Sequence, residues 1–163
     1  MTRWPQRPTL RPRRAATGLK WLAAVLALWL VVLPFAVDGA IGVLRPVQAA
    51  GGGCRILRVV DGDTVNLWCA RRGQVKARLL GYDSPELFSP RCLSEFVRAE
   101  QAVWFLRWTL VTTGPVRLAL HDRDRYGRAL VGLSVGGRDV AAVMIARGLG
   151  RAYDGGPRQG WCG

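Results

Sequence analysis

Hydrophobic and polar positions follow three different periods along this chain, and each period predicts a different kind of segment. Residues 21–37, WLAAVLALWLVVLPFAV, form an uncharged apolar run behind an arginine-rich leader, the pattern of a secretion signal that stands outside the fold. Apolar character resumes after Asp38 as AIGVL, so residues 21–44 are also long enough to cross a bilayer if that aspartate lies near an interface. Val47-Gln48-Ala49 offers small residues where a signal peptidase reads them, which favours cleavage over retention, and Gly51-Gly52-Gly53 follows as a flexible joint. The expected organisation is a leader and signal peptide or membrane anchor at 1–49, a glycine linker at 50–53 and a folded domain at 54–163. With the basic leader held inside, the domain lies outside the cytoplasm: periplasmic, secreted or membrane-anchored.

From Cys54 onward the pattern alternates. CRILRVV and TVNLWC flank the turn signal DGD, which predicts a β-hairpin. A fold at Asp61-Gly62 sets Cys54 opposite Cys69, although a single bulge would spoil that register. A third strand is expected over 75–82. Residues 94–111 then carry helical spacing, with Phe96, Val103, Leu106 and Leu110 on one face, Glu95 in the first turn and Gly114-Pro115 as the stop. Strands at 116–121 and 128–135 flank DRDRYG, and a short helix from Asp139, with Val140, Val143 and Met144 inward, ends at Gly148. Three strands, a helix, two strands and a helix predict a mainly β, α+β fold: a five-stranded OB-type barrel with two helices.

Charge and cysteine content narrow the chemistry. The 163 residues hold 24 Lys+Arg against 11 Asp+Glu, a net charge of +13, and one histidine. The lone His121 excludes a histidine-clustered zinc site, and at a strand end beside acids it is expected to serve as a local hydrogen-bonding residue. The positive excess implies attraction to a polyanion, whether that polymer is cut or only held. All four cysteines follow the signal, an even number in an oxidising compartment, so two disulfides are expected. If the hairpin pairs Cys54 with Cys69, Cys92 and Cys162 remain to tie the tail to the loop after the third strand.

Asp63 starts the second strand and Asp83 follows the third, so antiparallel pairing would bring the two together beside Ser84 and Glu86. Two carboxylates about 4 Å apart repel by about 4 kcal/mol at an effective dielectric of about 20. Such a cluster calls for a shared proton or a hard cation bound through oxygen, Ca²⁺ or Mg²⁺, and the looser geometry suits Ca²⁺. Arg78 and Arg128 add two guanidinium forks that match phosphate oxygens. Glu86 is placed to orient or deprotonate a water. Together these groups are what phosphodiester hydrolysis needs.

The motifs RVVDGDTV at 58–65, RLLGYDSPE at 78–86, DRYGR at 124–128 and ARGLG at 146–150 occur in an order that resembles the staphylococcal nuclease (thermonuclease) family, over about residues 55–153. The resemblance implies a Ca²⁺-dependent phosphodiesterase that cuts DNA and RNA to leave 3′-phosphates; the protein is expected to be a monomer. It implies Asp63, Asp83 and the Ser84 carbonyl as calcium ligands, Glu86 as general base or water-positioning group, and Arg78 and Arg128 as stabilisers of the transition state. Tyr126 and Tyr153 would contact phosphate or base. The segment after Glu86, LFSPRCL, holds Arg91 and no lysine, so Arg91 is the substrate contact expected there. A serine replaces the family's threonine at 84, harmless if only the carbonyl binds metal. The sequence stops soon after the second helix, where the family prototype has a third, and a Cys92–Cys162 bridge is expected to supply closure instead, by about 2 to 4 kcal/mol.

Plainer readings stand beside these. DGD alone is a common turn, Asp122 and Asp124 read as turn acids, and Trp104 and Trp108 read as packing residues. Trp68 and Trp161 fit either packing or stacking. The rival function is a non-catalytic exported OB module that binds nucleic acid or a partner protein, but such a binder has no need to crowd three carboxylates where phosphate must sit.

Overall fold

The computed structural model describes residues 15–44, 47–49 and 53–162. The basic leader before residue 15 and Gly51-Gly52 of the linker lie outside the described residues. The chain divides into two compact units, Met1–Pro34 and Phe35–Gly163.

Helix α1 (Ala15–Leu44) takes up the apolar run, and 27 of its residues, Gly18–Leu44, are long and apolar enough to cross a bilayer. Leu22, Trp29 and Phe35 on it are exposed. Pro34 has no N–H to give the helical ladder, and the second unit begins just after it. Beyond α1 the order is β1 (Val47–Ala49), β2 (Cys54–Asp61), β3 (Thr64–Cys69), β4 (Gly73–Leu79), β5 (Gly81–Asp83), α2 (Leu93–Thr112), β6 (Val116–Arg123), β7 (Ala129–Val135), β8 (Arg138–Asp139), α3 (Val140–Ala146) and β9 (Arg151–Tyr153).

The five expected strands lie side by side in the order β6-β7-β4-β3-β2, with β1 beyond β6 and β8 against β7. Among the described residues the strands pair as a sheet and do not close into a hydrogen-bonded barrel, although the α+β arrangement is that of the expected fold. The β4–β7 pair is parallel. The β2–β3 hairpin turns one residue later than expected, at Gly62-Asp63, with Asp61 opposite Thr64. Two bulges, between Ile56 and Arg58 and between Val59 and Asp61, bring the register back, so Cys54 still faces Cys69 and bonds to it. Cys92 and Cys162 form the second disulfide.

Two other expectations need correction. The third strand is not continuous over 75–82: it leaves the sheet after Leu79, and Tyr82-Asp83 pair with β9 instead. On α2 the buried stripe is Glu95, Ala99, Ala102, Val103, Leu106 and Leu110, whereas Phe96 and Trp108 face solvent, 40 % and 66 % exposed. The small residues Ala99 and Ala102 let the helix approach the sheet closely, and that choice of face turns Phe96 outward. Asp139 caps α3, accepting from the Ala141 N–H at 3.0 Å. On that helix Val140 and Met144 are buried, while Val143 is half-buried.

Asp38 and Ile41, leader residues by sequence, are buried within the second unit, 3 % and 1 % exposed. Arg107 donates to Asp38 through Nε at 3.0 Å and Nη2 at 3.2 Å, and the Val59 N–H donates to Asp38 at 3.3 Å. Arg107 Nη2 also reaches the Val59 carbonyl at 3.2 Å. β1 pairs in parallel with β6, Val47 opposite Val116. A buried charge that loses its partner is destabilising by several kcal/mol, whereas replacing both members with apolar groups is close to neutral. Asp38→Ala should therefore lower the unfolding free energy of the detergent-solubilised chain by about 3 kcal/mol, and Asp38→Leu/Arg107→Met should regain most of it. Denaturant titration checks both; equal stability of Asp38→Ala and wild type would contradict the pairing.

Candidate active site

Antiparallel pairing sets Thr64 opposite Arg78, so the turn residue Asp63 reaches the Arg78 side chain. Arg78 Nη1 lies 2.9 Å from Asp63 Oδ2, and Nη2 lies 3.1 Å from Asp83 Oδ1. All three residues are buried. One guanidinium thus holds two carboxylates from separate segments, the convergence expected from the strand order. Asp63 also accepts from the Thr64 hydroxyl at 2.8 Å.

Two glycines make that meeting possible. Gly81 has φ +89°, and a Cβ there would stand 2.9 Å from the Ala141 Cβ, so the chain turns there only because no side chain is present. The turn sends Tyr82 into the core, where its hydroxyl donates to the Gly62 carbonyl at 2.6 Å. Burial pushes the Tyr82 phenol well above its usual range, so it remains a donor. At Gly62 a Cβ would lie 2.8 Å from both Ala102 and Ser84 Cβ atoms. The DGD turn is therefore clamped between α2 and the Asp83-Ser84 segment.

An open hollow of about 1320 Å³ spreads over this cluster, and Asp61, Asp63, Arg78, Ser84, Glu86, Tyr126, Arg128, Tyr153 and Arg158 all line it. Asp83 is buried behind the wall and reaches the hollow through Arg78. Desolvation raises the Asp61 pKa from 3.8 to about 7; the Gly62 N–H bond opposes the rise, and the charges of Asp63 and Glu86 add to it. The donors available to a cation are oxygens: the Asp63 and Asp83 carboxylates and the Ser84 carbonyl. That set fits a hard divalent ion.

Arg128 enters from the turn between β6 and β7. Its Nε donates to Asp124 Oδ2 at 2.7 Å, and the N–H groups of Tyr126 and Arg128 both donate to Asp124 Oδ1 at 2.9 Å. Asp124 is the turn acid expected from sequence, and it also aims a catalytic candidate. The Arg78 guanidinium stands 5.4 Å from the Tyr153 ring, and that of Arg128 5.6 Å from the Tyr126 ring.

Some expected residues fall elsewhere. Arg91 is exposed and does not line the hollow; only its N–H is engaged, with Glu95 at 2.7 Å. His121 is exposed on β6 and likewise absent from the wall. Trp68 is partly exposed beneath Arg55, whereas Trp161 is buried beneath Arg151. Sequence reasoning gave Asp61 and Glu95 only turn and helix-start roles, and it passed over Tyr82 and Arg158. The GYD tripeptide reads as plain strand, and nothing in GGPRQG marks Arg158 except its closeness to a cysteine whose bridge fixes the tail.

Residues 76–159 match the family described as Staphylococcal nuclease homologue. The match takes in Arg78, Asp83, Ser84, Glu86 and Arg128 but starts after Asp63. Over 106 residues the chain is 27 % identical to a Haemophilus influenzae protein named "Uncharacterized endonuclease", covering 61 % of this chain and 52 % of that one. Over 112 residues it is 30 % identical to proteins of the same name from Escherichia coli O157:H7 and Escherichia coli, covering 67 % of this chain and 66 % of each of those. The aligned region thus spans about half the length of the first relative.

Burial opposes ionisation of Asp124, but the Arg128 bonds outweigh it and hold the pKa below the ordinary 3.8. Because the folded value lies below the unfolded one, the pair's contribution to stability is present above the ordinary carboxylate pKa and is lost as pH falls through the lowered value. Carbon-13 NMR titration of Asp124 should give a midpoint below 3.8 in wild type that moves upward in Arg128→Ala. An unmoved midpoint would contradict the pairing.

Proposed function

Since the chain belongs to the staphylococcal nuclease homologue family, we propose that it is a nuclease that hydrolyses phosphodiester bonds of DNA or RNA with a bound calcium ion. The observation that carries this reading is the buried Asp63–Arg78–Asp83 cluster opening on a hollow that Glu86 and Arg128 also line. Asp63, Asp83 and the Ser84 carbonyl would hold the ion, with Mg²⁺ as the alternative. When bound, calcium supplies positive charge against the phosphoryl oxygens and neutralises the carboxylates. Arg78, fixed by its two aspartates, presents a pre-aligned guanidinium to the charge that develops on phosphorus oxygens, and Arg128, aimed by Asp124, does so from the opposite loop. Glu86 is half-exposed and lines the hollow, where a carboxylate orients a water for attack or accepts its proton. Tyr126 and Tyr153 offer ring faces to a base or hydroxyls to a phosphate. The names of the H. influenzae and E. coli relatives support endonuclease chemistry.

Two disulfides and a bilayer-length helix support a domain that works outside the cytoplasm. An oxidising compartment outside the cytoplasm suits both. Cleavage after Ala49 would remove the acid that neutralises Arg107, the core residue Ile41 and the strand paired with β6. These contacts support a domain that starts near Phe35 and a preceding helix retained as a membrane anchor.

Single-stranded DNA and RNA incubated with the full chain should be cleaved with Ca²⁺ and left intact with chelator. Arg128→Ala should lose about 10² in turnover, the usual cost of one preorganised charge stabiliser. Cleavage indifferent to both chelator and Asp63→Asn would overturn the mechanism, and binding without cleavage under any metal would return the non-catalytic module. For the anchor, the protein recovered from membranes should keep the mass of a chain that includes residues 21–49 and resist carbonate extraction. A soluble product beginning at residue 50 would contradict it.

A further inference from the structure

The segment after β9, DGGPRQGWC, is neither helix nor strand, yet it is fixed at its far end in three ways. Cys162 is bonded to Cys92 at the N-cap of α2. Trp161 is buried, with the Arg151 guanidinium 4.1 Å from its ring centroid. Arg151 Nη1 donates to the Gly160 carbonyl at 2.7 Å. At its near end, Asp154 to Arg158 form part of the wall of the hollow. The segment is thus a strap pinned on both sides of Arg158.

Arg158 Nε lies 3.0 Å from Asp83 Oδ1, and Nη1 lies 3.9 Å from Glu86 Oε2. The second distance is too long for a hydrogen bond. Arg78, 7 % exposed, engages two carboxylates through Nη1 and Nη2, whereas the Arg158 side chain is 45 % exposed, pairs with Asp83 through Nε and has Tyr153 as a further hydrogen-bond partner. Burial opposes its charge, but Asp83 and Asp63 outweigh that and hold its pKa above the ordinary arginine value. Asp83 Oδ1 already accepts from Arg78, so a second cation on the same oxygen adds little neutralisation. What the second guanidinium adds is a positioned, half-exposed fork at the wall of the hollow.

Resting on the nuclease reading above, we propose that Arg158 is a third substrate-binding arginine, which takes a phosphate of the nucleic-acid strand and is held in place by the Cys92–Cys162 bridge. A guanidinium fork matches phosphate oxygens in pairs. Pinning the strap before substrate arrives removes most of the ordering cost that a loose tail would bring to the contact.

The test compares the full detergent-solubilised chain with Arg158→Ala, Arg158→Lys and Cys92→Ser/Cys162→Ser. Cleavage of single-stranded DNA with Ca²⁺ gives kcat and KM, while fluorescence anisotropy of a labelled oligonucleotide in chelator gives Kd against salt. Arg158→Ala should raise KM and Kd about tenfold while changing kcat less than about twofold, as expected when binding is lost equally from ground and transition states. Its log–log salt slope should fall by about 0.7, the share of one single-strand phosphate. Arg158→Lys should restore the slope but not the full affinity, and the variant without the bridge should shift Kd in the same direction as Arg158→Ala. An unchanged Kd and slope in Arg158→Ala would overturn the proposal. So would faster turnover at lower Ca²⁺, which would make Arg158 a competitor for Asp83 rather than a phosphate contact. If wild type cleaves nothing, the nuclease reading fails, but the salt slope still decides whether Arg158 holds a phosphate.

Discussion

Arg78 is buried between Asp63 and Asp83, and most of the local fold can be traced to that meeting. The two acids come from different places: one from the hairpin turn, the other from a short strand that has left the main sheet. Each needs its own device to arrive. The turn is clamped because Gly62 has no side chain to strike Ala102 or Ser84, and the short strand is aimed because Gly81 bends the chain and Tyr82 bonds back to Gly62. Burying three charges is costly unless each is paired and hydrogen-bonded. The geometry meets that condition with protein groups alone.

A second buried ion pair, Asp38 with Arg107, does at the other side of α2 what the first does at the hollow. It locks the last turns of an apolar helix onto the sheet. The same α2 then carries both consequences: Arg107 holds Asp38, while Ala102 presses on the DGD turn and Glu95 holds the loop after Glu86. The two disulfides close the hairpin and the tail.

Much of this was legible in the sequence where local pattern and chemistry agree. The alternating runs around DGD predicted the hairpin and the Cys54–Cys69 bond, and the strand ends predicted that Asp63 and Asp83 would meet. The register survived because two bulges offset a turn displaced by one residue, a compensation that no periodicity reveals. Residues 75–82 read as one strand because the side chains on both sides of Gly81 suit a strand; the break comes from the positive φ of Gly81 and the close approach of Ala141. Phe96 was misplaced because apolarity outranked size, whereas the helix buries its alanines to come near the sheet. Arg158 was invisible because its position depends on a bridge between residues 70 apart. Asp38 read as a flaw in an apolar run because its partner lies 69 residues away.

The hollow joins fixed charge to open space: Asp63 and Asp83 gathered on Arg78, with Glu86 and Arg128 on the same wall. Calorimetric titration of Ca²⁺ into the full chain, beside Asp63→Asn and Asp83→Asn, tests that description most directly. Binding to a single site in wild type that disappears in either variant is the expected result. Equal heats in all three proteins would mean that the two carboxylates gather around Arg78 for stability alone.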